Sequence, residues 1–432
     1  MRLDLPLLAG AEPTLGHCMW SATAGPPPPE ATLGAEERCD VLIIGGGFNG
    51  VTAGLKLAQA GARAILIEAR EIGAGSTGRN AGMVNPGQFL GPEEIARHLG
   101  PDHGRRFVTE LGAAPAMVRA LIAEHAIACF LDDRPIIRAA HSSGAARVLH
   151  AQTEAWQRLG ADVVMVEGHD LEALTGSRRY GAALLDRRGF TIQPLAYIRG
   201  LASAATRFGL RIATGRTVTG LTAKNGTWLA QAGDCTIQAD KVIVSTNAYS
   251  GDLLPELREE IMPLGAFGFA TDPLPAAWRA RIFPQGHSLY DTHKVPLFFR
   301  YDPEGRLMVG CIGFLPKGLD STGWADRALR FVFPQAPRFP WRFRWSGRLG
   351  QTPDRLPHFV EPRPGLLATL GCNGRGIAPN TYFGAMLARL ALGETLQTPL
   401  PRTAPHAYPN RALAREGYDA AIRLYRNTLL FT

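Results

Sequence analysis

Four glycines and one acid carry the clearest chemical signal in the chain. Gly45, Gly47 and Gly50 fall in a G-x-G-x-x-G spacing, Gly54 follows a helical turn later, and Glu68 stands 18 residues past Gly50. Glycine at 45 permits a tight turn, at 47 it lets the backbone approach a diphosphate, and at 50 and 54 it lets helix and strand close together. Phe48 and Asn49 complete the turn. Free amides at the start of a helix, and the positive end of its dipole, then face the phosphates. The carboxylate at 68 accepts hydrogen bonds from ribose hydroxyls and disfavours a ribose 2′-phosphate.

The elements that must hold these residues are legible on either side. Cys39-Asp40-Val41-Leu42-Ile43-Ile44 is a β-branched run suited to a strand buried on both faces. Val51 to Ala62 reads as a helix, Gly61 fits its stop, and Arg63 to Glu68 reads as a second strand. A loop rich in small residues and hydroxyls follows at once. Its Ala69, Arg70, Gly75, Ser76 and Thr77 offer backbone and side-chain donors to a ligand, as do Arg79, Asn80, Ala81, Gly82 and Met83. In the C-terminal third, a strand from Leu366 runs into Gly371-Cys372-Asn373-Gly374-Arg375-Gly376-Ile377 and then a helical stretch. Strand, G-x-x-G-x-G and helix place a second helix start against a ligand, where it favours developing negative charge. Gly374, Arg375, Gly376 and Ile377 are the candidate contacts. Arg375 is suited either to the reduced cofactor or to a substrate carboxylate.

Together these blocks resemble the FAD-dependent amino-acid oxidase superfamily, which includes D-amino-acid, glycine and sarcosine oxidase-like enzymes. Within it they are similar to the γ-glutamylputrescine oxidase branch, whose S-G-R-N-G-G element matches the loop through Arg79 and Asn80. The resemblance runs from about residue 17 to 395 and is loose over residues 90–150 and 255–345. It implies that His17 to Ala24 form an N-terminal tag in which Trp20 packs against the cofactor unit. It also implies that backbone at Val218 meets the adenine side and that Thr246, Asn247 and Ala248 lie near the cofactor. Asn373 and Arg375 replace the Ser and His of the family's G-x-S-G-H-G loop. The place of a flavin-attaching Cys falls near Gly347, with which neither Cys311 nor Cys372 aligns, so the FAD is expected to be non-covalent. Met308 stands where sarcosine-oxidase-like relatives carry a dioxygen-activating Lys, and Ala378 where they carry a carboxylate-clamping Lys. Arg300, Arg348 and Arg375 remain as partners for an acidic substrate group. The loop carrying His287, Tyr290 and His293 is read as pocket-side, with structural histidines.

The implied function is oxidation of a C–N bond in a secondary amine or amino-acid-like compound, by hydride transfer to flavin and hydrolysis of the imine. Dioxygen, or an electron-acceptor partner protein in a dehydrogenase, would reoxidise the flavin, and tailoring of a specialised metabolite is the remaining alternative. The expected fold is α/β: a Rossmann-like FAD-binding domain built from 39–90, 150–254 and 346–400. A substrate domain with an antiparallel sheet is inserted as 91–149 and 255–345. Residues 1–38 form an N-terminal extension and 401–432 a helical tail.

Composition sets the outer limits. At 432 residues the chain exceeds the roughly 150-residue domain scale severalfold, and with 46% hydrophobic and 19% charged residues it can bury a large core. No run of 18 apolar residues occurs, so no membrane insertion is expected. MRLDLPLLAG, broken by Asp4 and Pro6, does not read as a signal peptide, and a cytoplasmic location is the default. Six cysteines lie far apart without a C-x-x-C pair, which argues against disulfides or a metal site. The net charge of +8 is spread thinly, only five of the 46 basic residues being Lys. That pattern suits acidic small molecules and not nucleic acid.

Overall fold

The computed structural model describes Leu15, residues 18–313 and residues 322–427. His17 and the MRLDLPLLAG stretch lie outside the described residues. Glu36–Ile44, Ala64–Ile67 and Cys235–Val244 are the apolar, β-branched strands expected at the centre of a parallel sheet. Val41 to Ile44 run between Ala64–Ile67 on one side and Lys241 to Val244 on the other, all parallel. Leu366–Leu370 and Arg211–Ala213 extend the parallel order outward. A hairpin of Val218–Lys224 and Thr227–Ala232 hangs on Cys235–Val244, and at the other side His358–Arg363 pairs antiparallel with Leu366–Leu370 and carries Arg402–Thr403 beyond it, for nine strands in all. Parallel strands end on one edge, so the turns after Ile44, Ile67, Val244 and Leu370 gather there, as ligand-binding turns do in open α/β sheets.

The Phe48–Gln59 helix covers this sheet between the Pro194–Arg207 and Ile377–Ala391 helices. A methyl group at Gly384 would fall on the Asn49 carbonyl oxygen and come within 2.9 Å of the Thr52 Cβ. The two helices therefore meet through backbone, and the second glycine-rich loop is fixed relative to the first.

The second sheet has eight strands, in the order Trp341–Gln351, Met262–Pro273, Arg306–Ile312, Leu297–Tyr301, Ser288–Asp291, Ile136–Ala139, Ala182–Asp186 and Val163–Glu167. Its pairs are antiparallel except Ser288–Asp291 with Ile136–Ala139, which is parallel because a long excursion joins them. Trp341, Phe343 and Trp345 alternate with exposed Arg342 and Arg344 on the half-buried edge strand. Two segments fall elsewhere than the sequence implies. Val163–Glu167 and Ala182–Asp186, read as part of the FAD-binding unit, pair in this second sheet. The Pro92–Glu124 stretch, read as part of the substrate unit, is two helices that meet at a break at Gly100, and it buries Ile95, Phe107, Leu111 and Val118 in the core that covers the first sheet. Periodicity identifies such elements without naming what they pack on.

One ionic cluster ties the two sheets together. His358, at the start of its strand in the first sheet, faces Glu260 at 2.6 Å and Asp354 at 3.2 Å. Glu260 is fully buried just before the Met262–Pro273 strand of the second sheet. Burial by itself lowers the His358 pKa, but Asp354 and Glu260 together outweigh it and raise the pKa to about 9. A pKa raised on folding gives stability that is complete below the unfolded value near 6.5 and is lost as pH climbs through about 9. Urea unfolding of the wild type should therefore weaken by roughly 2 kcal/mol more between about pH 6 and pH 10 than that of His358→Gln. Parallel pH profiles for the two proteins would refute the assignment.

Candidate active site and cofactor cleft

The turn after Ile44 opens a cleft of about 620 Å³. Gly45 sits at φ +110°, a region L side chains rarely adopt, and its amide closes onto the Ile67 carbonyl. A methyl at Gly50 would land on the Gly45 carbonyl oxygen, so the Phe48–Gln59 helix starts as close to the strand as a backbone permits. Gly45, Gly47, Phe48 and Asn49 line the cleft, while Gly50 lies behind them inside the helix. Asn49 is pinned from both sides: its Nδ2 donates to Thr369 Oγ1 at 2.5 Å and its Oδ1 accepts from Ser245 Oγ at 2.8 Å. One side chain thus joins the helix to the ends of two neighbouring strands.

Glu68 lines the cleft beside Ala69 and Arg70. Its Oε2 accepts from the Gly46 amide at 2.7 Å and its Oε1 from the Arg70 amide at 3.0 Å. Burial pushes the carboxyl pKa up, and those amides oppose the rise. Gly75, Ser76 and Thr77 form the next stretch of wall, with Thr77 Oγ1 only 3.0 Å from where a Gly47 Cβ would stand. Val218 lies on the wall with Arg216 and Thr217, and Thr246, Asn247 and Ala248 also line the cleft. Backbone amide donors, a carboxylate acceptor of the kind that meets hydroxyl groups and a glycine cradle are the set a dinucleotide needs.

Residues 78–83 build the cleft without lining it. Arg79 donates to the Ala74 and Ser346 carbonyls, each at 2.8 Å. Asn80 reaches back to the Thr77 carbonyl at 2.6 Å and accepts from the Gly82 amide at 2.7 Å. Two indoles pin this turn: Trp345 donates to the Arg79 carbonyl and the fully buried Trp20 to the Asn80 carbonyl. Met83 continues into a short strand.

Arg300 stands apart from the cleft. Its guanidinium donates to the Ala81, Ile192 and Tyr301 carbonyls and lies 5.1 Å from the Trp20 ring. Burial pulls its pKa down to about 10. Through these carbonyls it fastens the Ala81 turn to the second sheet, and it does not line the cleft. Arg348 lies on the cleft wall with its guanidinium 5.4 Å from the Tyr249 ring. Tyr290 proves to be in the Ser288–Asp291 strand, not a loop. His287 and His293 are held by the Pro135 carbonyl and Asp291.

Arg375 stands off the cleft in a second group. It donates to the Pro86 and Gln88 carbonyls and, at 2.5 Å, to the Tyr290 hydroxyl, with Phe89 beneath it at 4.4 Å. Arg138 is the strand partner of Tyr290, and burial depresses its guanidinium, with Arg375 adding to the effect. Among the described residues neither cation has a carboxylate partner. The Nε of each is buried and unpartnered, as are both amide atoms of Gln88. Gly374, at φ +86°, packs on Phe89, and Gly376 and Ile377 start the Ile377–Ala391 helix. Asn373, in place of a serine, adopts φ +49° and accepts from the Thr352 amide and hydroxyl. An asparagine is suited to that left-handed turn.

Several cleft residues escaped the sequence. Tyr249 sits one residue beyond the Thr246–Ala248 run and had a usable signal in that proximity, while Arg258, Arg411 and Arg415 belong to no motif. No motif singles out Arg138 either, because only strand pairing brings it to Tyr290.

Fold and cleft define a flavin-dependent oxidoreductase. Residues 40–390 match the family described as FAD dependent oxidoreductase, and the chain belongs to that family. It is 28% identical over 397 residues to the gamma-glutamylputrescine oxidoreductase of Escherichia coli, covering 90% of this chain and 92% of the relative. It is also 28% identical over 392 residues to the probable oxidoreductase OrdL of Rhizobium meliloti, covering 89% and 90%. The glycine oxidase structure from Geobacillus kaustophilus superposes with a TM-score of 0.69 at 19% identity, over 84% of this chain and 96% of that one. FAD is the cofactor. Among the described residues no helix is long and apolar enough to cross a membrane. Replacing Glu68 by Ala removes the acceptor for two loop amides and the carboxylate expected to meet a ribose. The dissociation constant for FAD, followed by flavin fluorescence, should rise roughly tenfold or more. An unchanged constant would refute the role of Glu68.

Proposed function

We propose that this chain oxidises a C–N bond of a secondary amine or amino-acid-like substrate that carries an acidic group. The observation that carries the proposal is the Arg138–Tyr290–Arg375 group: a buried Arg375 and a half-buried Arg138, each with a buried, unpartnered Nε, at the glycine-rich loop 371–376. Burying two cations without an anion is costly, and a substrate carboxylate would relieve that cost. A relative named for γ-glutamylputrescine, which bears both a carboxylate and an amine, agrees with this chemistry.

Bound FAD supplies a two-electron acceptor for the hydride on the carbon next to nitrogen. The chain's own residues do the positioning. Arg138 and Arg375 hold the acidic end, Gln88 offers a donor and an acceptor, and Phe89 with Tyr290 forms a close aromatic wall that limits water. The imine product then takes up water to give a carbonyl compound and an amine. The FAD is held non-covalently: Cys311 and Cys372 direct their thiols at the Val295 and Gly350 carbonyls, and neither lines the cleft. Acid precipitation should accordingly leave all the flavin in the supernatant. We place the protein in the cytoplasm, in keeping with six buried, unbridged cysteines.

Dioxygen is the proposed oxidant of the reduced cofactor. Met308 supports a second reading, in which electrons pass to a partner protein, because it puts a buried thioether where related enzymes carry an oxygen-activating cation. Anaerobic titration with γ-glutamyl amines, N-methyl amino acids and simple polyamines decides substrate class: acidic amines should bleach the visible flavin band, and polyamines without an acidic group should not. Readmitted air should restore the band within the turnover time of an oxidase, and slow recovery would favour the partner protein. Arg138→Met should raise the apparent substrate constant for acidic amines roughly 10- to 100-fold. Equal response of acidic and neutral amines would overturn the carboxylate assignment.

A further inference from the structure

The Arg411–Asn427 helix lies beyond residue 390, where the family match ends. It nevertheless returns to the cofactor cleft: Arg411 and Arg415, one turn apart, stand on its wall with Arg258 and Arg348. We infer that the segment from Tyr408 to Tyr418 is a latch across the cleft, in which Arg411 and Arg415 bind the anionic dinucleotide and slow its release. The proposal rests on the assignment of the cleft to FAD.

The segment is anchored at both ends of the relevant stretch. The Tyr408 amide donates to the Glu259 carbonyl at 2.7 Å and Arg411 Nε to the Ile261 carbonyl at 2.9 Å. Gln351 donates to the Tyr418 hydroxyl at 3.2 Å. Tyr408, Ala414 and Tyr418 pack on Met262, Leu264, Leu349 and Cys372, so the apolar side of the helix is committed and its Arg411 and Arg415 positions are held at the cleft. The nearby acids are already engaged, since Asp252 and Glu259 both pair with Arg258. Among the described residues neither Arg411 nor Arg415 forms an ion pair. Burial depresses the Arg411 guanidinium, with Arg258 and Arg415 adding to the effect. Arg411 and Arg415 are thus like charges on the cleft wall without an ion pair of their own, and they suit an anionic ligand. FAD brings two negative charges on its diphosphate.

The test is FAD binding to the full-length apoprotein, read by flavin fluorescence, with dissociation followed after dilution into excess competing nucleotide. Arg411→Gln and Arg415→Gln should each raise the dissociation constant roughly fivefold, and the double variant more than tenfold, chiefly through faster release. Lys at either position should recover part of the loss. Arg389→Gln, which removes the same charge away from the cleft wall, should change little. Salt should weaken FAD binding more steeply in the wild type than in the double variant. This wild-type salt slope needs no variant to fold, and circular dichroism of the apoproteins checks the rest. Wild type that binds FAD with no salt dependence, or a folded double variant within twofold of it, would overturn the latch. Wild type that fails to take up FAD would instead overturn the assignment of the cleft.

Discussion

The Gly45 carbonyl oxygen lies so close to Gly50 that a single methyl group would not fit between them. Much else depends on that contact. It sets the start of the Phe48–Gln59 helix against the strand end, so the free amides there face the cleft. It places Asn49 where one amide group can bond both Ser245 and Thr369, and so registers three strand ends at one edge. The meeting of Gly384 with the Asn49 backbone then carries the same constraint to the Ile377–Ala391 helix and the loop before it. Two glycine-rich loops some 320 residues apart in sequence are thereby locked together through backbone, which no side-chain repacking can loosen.

Arginine is used in three physically different ways. Arg79 and Arg300 are spent on backbone carbonyls and shape the loop through Ala81. Arg138 and Arg375 are interior cations whose nearest polar company is a phenol, an amide and carbonyls. Arg348, Arg411 and Arg415 face the open cleft. The guanidinium suits all three, because it stays charged when buried, offers five donors in a plane and stacks on rings. A lysine in the place of Arg300 would satisfy fewer carbonyls from a single point. The scarcity of lysine in this chain is therefore compatible with structural work as well as binding.

The nucleotide-binding half was legible because its physics is local. A turn, a close approach and a ribose acid must occur within one βαβ unit, so spacing alone exposes Gly45, Gly47, Gly50 and Glu68. Trp20 packing against the loop through Asn80 and the largely antiparallel second sheet also agree with what the chain and its resemblance imply. Of the Arg138–Tyr290–Arg375 group, Arg375 was legible from its glycine-rich loop, and its association with Arg138 was not. Arg138 meets Tyr290 through strand pairing across about 150 residues, and Gln88 and Phe89 join them from a loop without a motif. The setting of Arg300 was hidden for a related reason: its three carbonyl acceptors come from distant turns and from its own strand. Asn373 looked like a departure from a pattern, yet its left-handed turn and its bonds to Thr352 show a residue fitted to its place.

The bond from Trp20 to the Asn80 carbonyl has a consequence for how the protein is made. The same turn also needs the Trp345 indole on Arg79 and the Arg300 guanidinium on Ala81. A ribosome adding roughly 5–20 residues per second reaches position 345 tens of seconds after position 20. Through that interval the N-terminal tryptophan and the cofactor loop exist without the partners that close them. The βαβ unit can form early, but the turn beyond it must stay open until nearly the whole chain has emerged. Cofactor capture is then a late event in biogenesis, and a large partner fused directly ahead of Trp20 would compete for the loop during its longest exposure.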